Sequence, residues 1–119
     1  MLDIKTIKPN KHTQLVQAED RVGPLAEVFY YDSEKCRVIQ SYADRGAAGT
    51  VCFLLKSPGG YYFFQIDEYN FEGNIFKEIK TRHLHHFAKE TAVSYFTRYH
   101  SESNRVTFEE AFDVSPRDI

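Results

Sequence analysis

A chain of 119 residues is one domain of ordinary size, able to bury about two thirds of its unfolded surface without disulfides or metals. Its net charge of -2 lacks the basic excess of a general nucleic-acid binder, and falls far short of the dense acidity of a nucleic-acid mimic. Cys36 and Cys52 have no C-x-x-C spacing, which argues against a zinc site or a redox dithiol. No stretch reaches the length of a membrane span, so a cytoplasmic domain with reduced thiols is expected over residues 1–119.

Residues 2–8 read as a short edge strand, with Lys5, Lys8 and Lys11 as charges that discourage edge pairing. Pro9-Asn10 ends it. Residues 13–22 fit either a helical turn or a loop closing at Gly23-Pro24. Leu25 to Tyr31 is a strand, followed by turn chemistry at Asp32-Ser33. Segment 34–45 has two readings. It is either a strand from Cys36 to Tyr42, or a helix from Glu34 to Arg45 capped by Ser33 and stopped by Gly46. The β-branched Val38 and Ile39 tip the balance to the strand.

Gly46-Ala47-Ala48-Gly49 lacks the lysine of a phosphate-binding loop and reads as a bend. Thr50 to Lys56 and Tyr61 to Ile66, joined by Ser57-Pro58-Gly59-Gly60, form the clearest hairpin of the chain. Near-continuous apolarity makes these central strands, with Leu54, Leu55, Phe63 and Phe64 in the core. Asn74 to Lys80 is a further strand. Leu84, Phe87, Ala88, Thr91, Ala92, Tyr95, Phe96 and Tyr99 then recur at spacings of three and four. That rhythm predicts a long amphipathic helix over 82–99. Thr107-Phe108-Glu109-Glu110 has capping-box spacing and predicts a short helix over 108–113, with 114–119 a loose tail. The expected fold is α+β: an antiparallel sheet of about four to six strands with the long helix across one face.

Three groups of residues carry candidate chemistry. His83, His86 and Glu90, with His85 beside them, would share the start of the predicted helix, a face on which a metal could be held. His-Glu-x-x-His is lacking and Lys89 is close, so a solvated polar face is the favoured reading. Asp67 followed by Glu78-Ile79-Lys80 resembles the PD-(D/E)xK pattern of magnesium-dependent nucleases. The period of two would set Glu78 and Lys80 on one face, one to bind metal and the other to steady the attacking water or the scissile phosphate. No proline precedes Asp67, and charge at a sheet edge is the preferred reading. Gly60-Tyr61-Tyr62-Phe63-Phe64-Gln65-Ile66 departs from the aromatic strand of RNA-recognition motifs at Tyr62 and Ile66, so it is taken as core.

Aromatic content is the compositional outlier, with eight tyrosines, ten phenylalanines and no tryptophan. Tyrosine hydroxyls need partners or water, so part of this set is expected at the surface, where tyrosine favours interfaces. The leading expectation is a non-enzymatic module without cofactor that binds another protein, inhibiting or sequestering it in the manner of small immunity proteins or phage anti-defence inhibitors. Tyr30, Tyr31, Tyr61, Tyr62 and Tyr69 would be its anchors and Asp67, Glu68 and Glu72 its acidic rim, on a monomer or weak homodimer. The alternative is a small metal-dependent nuclease using Asp67, Glu78 and Lys80.

Overall fold

The computed structural model describes residues 6–17, 28–44, 46, 49–72 and 75–113, with the backbone alone at 71, 72, 75, 76 and 78. Its strands are β1 (Thr13–Gln17), β2 (Val28–Asp32), β3 (Arg37–Ala43), β4 (Thr50–Lys56), β5 (Tyr62–Glu72) and β6 (Ile75–Phe87). Its helices are α1 (Lys89–Thr97) and α2 (Phe108–Phe112). β1 and β2 form a two-stranded ribbon, and the other strands a four-stranded sheet in the order β3-β4-β5-β6, antiparallel throughout.

β4 explains the layering. Val51 to Leu55 are all buried, and alternation along the strand divides them between two cores. Cys52 and Leu54 point to the side where Ile39, Tyr62, Phe64 and Phe87 meet Ala92 and Phe96 of α1 and Ala111 and Phe112 of α2. Val51, Phe53 and Leu55 point the other way, toward Ile7 and Tyr69. On that side the ribbon adds Val16 and Tyr31, packed against Phe63. The sheet is therefore covered by helices on one face and by the ribbon and residues 7–12 on the other, as the apolar runs of β4 and β5 require.

Three local expectations hold. Segment 37–43 is a strand, and residues 33–35 form only a short turn in which the Asp32 carboxylate accepts from Glu34 N–H at 3.0 Å. The Ser57–Gly60 hairpin is present. The capping box opens α2, with Thr107 Oγ1 accepting from Glu110 N–H and the Glu110 carboxylate accepting from Thr107 N–H.

The predicted helix over 82–99 needs correction. Residues 82–87 continue β6, paired through Tyr62↔Phe87, Phe63↔His86 and Gln65↔Leu84, and the helix spans only Lys89–Thr97. Leu84 and Phe87, neighbours on the imagined stripe, face opposite cores. Thr81, the natural cap for such a helix, instead donates its hydroxyl to Asp67 at 2.7 Å. Residues 13–17 are strand rather than turn or loop. Residues 6–8 lie in no strand. The remainder of the expected 2–8 strand, positions 18–27 and the 114–119 tail fall outside the described residues.

One buried side chain closes the helical layer. Gln40, fully buried on β3, aims its amide nitrogen at the carbonyls of Tyr95 (2.9 Å), Tyr99 (3.1 Å) and His100 (3.1 Å) and at Asn104 Oδ1 (2.9 Å). The backbone carbonyls belong to the last turn of α1 and its exit, where no intrahelical donor remains. Replacing the amide by a hydrocarbon of similar size strands these acceptors away from water. Gln40→Leu is therefore expected to cost about 2–3 kcal/mol in urea unfolding, although it adds apolar surface to a core. An unchanged midpoint would show that Gln40 does not hold the end of α1.

Candidate functional site

The five tyrosines expected at the surface divide sharply. Tyr31 is 1% exposed and its hydroxyl donates to Gln65 Oε1 at 2.6 Å. Tyr62 donates to the Ala111 carbonyl at 2.8 Å and Tyr69 to the Lys8 carbonyl at 2.7 Å, and both rings are buried. These three satisfy their hydroxyls internally and are structural, which corrects their assignment as anchors. Tyr30 and Tyr61 are outside, 68% and 39% exposed.

The two exposed tyrosines converge. Both line a cleft of about 210 Å³ between β2 and the Ser57–Gly60 turn, with Phe29 and Phe63 in its walls and Asp32 and Lys35 at its rim. Phe29 is held there by the Tyr61 ring at 4.2 Å and by a stack on His86 at 5.0 Å and 21°. On the outward side of the ribbon, Leu15 and Val28 are 68% and 61% exposed, and Leu15 stands directly opposite Tyr30. Sequence reasoning missed Leu15 and Val28. No alternation marked them: in Thr13-Gln14-Leu15-Val16-Gln17 the two apolar residues are adjacent, and only on a strand do they face opposite sides.

Asp67 lies in the interior and so does not belong to an acidic rim. It is fully buried, and its carboxylate accepts from Asn10 N–H (2.7 Å), Thr81 Oγ1 (2.7 Å) and Gln65 Nε2 (2.9 and 3.0 Å). Burial raises its pKa above the usual aspartate range. The donors from Asn10, Thr81 and Gln65, and the charge of His12, pull the other way without cancelling that effect. Further along the hairpin the strand is not regular, as the nuclease arrangement assumed. The β5–β6 register shifts between Glu68 and Tyr69, so that Lys80 is opposite Glu68 and Glu78 opposite Tyr69. Pairing with consecutive residues of β5, positions 78 and 80 break the regular two-residue repeat of the strand, and the side chain of Glu78 lies outside the described residues. Glu68 is half-buried, and the side chain of Glu72 is outside the described set.

The histidine group is likewise dispersed. His83 and His86 are opposite Ile66 and Phe63 on β5, residues that face different sides of the sheet, while Glu90 sits on α1. Three residues separate ligands on one face of a helix but on two faces of a strand. Among the described residues, no group of three His, Cys, Asp or Glu side chains is placed to hold a metal ion. Cys36 and Cys52 are free thiols. Burial pushes each up to about 11, so neither is poised as a thiolate nucleophile at neutral pH.

In comparisons with known proteins, the chain matches no protein-family model, no curated protein and no solved structure. Among the described residues no helix is long and apolar enough to cross a membrane.

The buried carboxyl gives a pH signature. A folded pKa above the unfolded one makes the protonated form the stabilising form. That contribution is complete below the ordinary value of 3.8 and fades as pH rises through the folded value. From pH 4 to pH 7, the stability of the native protein relative to Asp67→Asn should therefore fall in urea titrations. A relative gain over that range would mean that the four hydrogen bonds outweigh burial.

Proposed function

We propose that this protein is a non-enzymatic binding module that sequesters or inhibits a protein partner through the surface around Tyr30 and Tyr61. One observation carries the reading: two of the tyrosines flagged by sequence are exposed, and both line a single aromatic cleft. Tyrosine supplies a large, rigid, amphipathic contact with few torsions to freeze, the property that makes it frequent among interface hot spots. Leu15 and Val28 extend the apolar surface beside it, and Asp32, Glu34 and Lys35 supply charge at one end. This rim replaces the acidic one expected from Asp67, Glu68 and Glu72.

The test is capture of partners from the native host lysate, with and without magnesium, by the full chain and by Tyr30→Ser/Tyr61→Ser. The reading expects one stoichiometric protein in both conditions, weakened at least about tenfold by the double substitution. Tyr30→Ser alone should leave the unfolding free energy in urea within about 0.5 kcal/mol, as for an ordinary surface change. A partner held equally by the variant would place the interface elsewhere. Magnesium-dependent loss of added nucleic acid would point to catalysis instead.

A further inference from the structure

We propose that the outer edge of β2 accepts an extended segment of the partner protein as a third strand of the ribbon, seating one of its side chains in the aromatic cleft. This rests on the binding reading above and supplies its backbone chemistry.

The register shows which groups are open. Ser33 N–H donates to the His12 carbonyl at 3.0 Å, and this pair continues the β1–β2 register by one step. Bonded and non-bonded pairs alternate in an antiparallel ladder. Gln14–Tyr31 and Val16–Phe29 are thus bonded across the ribbon, whereas Val28, Tyr30 and Asp32 turn their N–H and C=O groups away from β1. Among the described residues, no backbone partner meets those of Val28 or Tyr30. Among the same residues, the Asp32 carbonyl receives just the weak S–H of Cys36, at 3.4 Å.

The other edges are guarded. Along β3, Gln40 bridges Asn104 and Arg105 N–H donates to the Ile39 carbonyl at 2.9 Å. β6 has two register shifts and carries exposed Lys77, Lys80 and Arg82, devices that keep an edge from pairing. The outer side of β1 approaches β6, sharing a polar cleft with Thr81 to Leu84. Val28-Phe29-Tyr30-Tyr31-Asp32 has no lysine, no proline and no register shift. Beside it lies the cleft, its far wall formed by Ser57, Pro58, Gly59 and Tyr61. An added strand would satisfy the free amides while its alternate side chains meet the cleft, the division of labour in recognition by strand addition.

A second copy is the weaker occupant. Five residues make a strand of about 17 Å, and two such strands paired fall well short of the roughly 1,000 Å² that a stable interface needs. A heterologous segment that also fills the cleft adds the burial that self-pairing lacks.

The test pans a displayed library of random linear peptides on the full chain. Enriched peptides are then assayed by amide exchange and against Val28→Pro. Proline at this position removes an outward N–H and leaves the bonds to β1 intact. The proposal expects bound peptide to slow exchange at Tyr30. It also expects N-methylation of alternate peptide residues, or Val28→Pro at an unchanged urea midpoint, to weaken binding about tenfold or more. It is overturned by peptides that bind with Tyr30 exchange unchanged, by self-association that protects β2, or by failure to enrich any peptide. If lysate capture still depends on Tyr30 and Tyr61 in those cases, the binding reading stands and only strand addition falls. If neither peptide nor partner is retained, both fall.

Discussion

Gln65 and Asp67, neighbours on one face of β5, decide where the ribbon sits. Both side chains are fully buried, so every polar atom they bring into the interior needs a partner. The partners come from different parts of the chain. Tyr31 of β2 reaches Gln65 Oε1, Asn10 gives its N–H to Asp67 and its carbonyl to Gln65, and Thr81 of β6 donates to Asp67. Ser33 joins by donating to the same Asn10 carbonyl at 2.9 Å while accepting from His12 N–H. A carboxylate excluded from water is tolerable only with this set complete, so residues 10–12, the ribbon and β6 are fixed to β5 together.

That attachment shapes the proposed binding surface. Anchoring Tyr31 inward fixes the adjacent Tyr30 outward and swings Phe29 against His86 and Tyr61, which forms one wall of the cleft. The opposite side of the sheet is closed. Tyr62 bonds to α2, Gln40 to the end of α1, and Phe64, Phe87 and Tyr95 stack beneath the helices. The helical face is therefore sealed, while the ribbon face carries both the buried polar network and the exposed cleft.

The hairpin over 50–66 was legible because two apolar runs flank a turn rich in glycine and proline, a signal contained in a few consecutive residues. The capping box of α2 was legible for the same reason. Residues 82–87 were not. Leu84, Phe87 and Ala88 satisfy a helical spacing, yet pairing with β5 buries Leu84 and Phe87 on opposite faces, and only the partner strand decides. The register shift between positions 78 and 80 is equally a property of two strands. The tyrosines were half legible. Tyr30-Tyr31 and Tyr61-Tyr62 are doublets, and consecutive strand residues point to opposite sides. One member of each doublet was bound to face outward, but which one depended on Gln65 and Ala111, residues distant in sequence that accept the hydroxyls of the inner pair.

Strand addition requires an open outer edge on β2 in the free protein, which amide hydrogen exchange measured residue by residue tests most directly. The predicted result is an alternation: Phe29 and Tyr31, bonded to β1, exchange slowly, and Val28 and Tyr30 exchange rapidly. Uniform protection from Val28 to Asp32 would mean that this edge is already covered, and would contradict the placement of the recognition site.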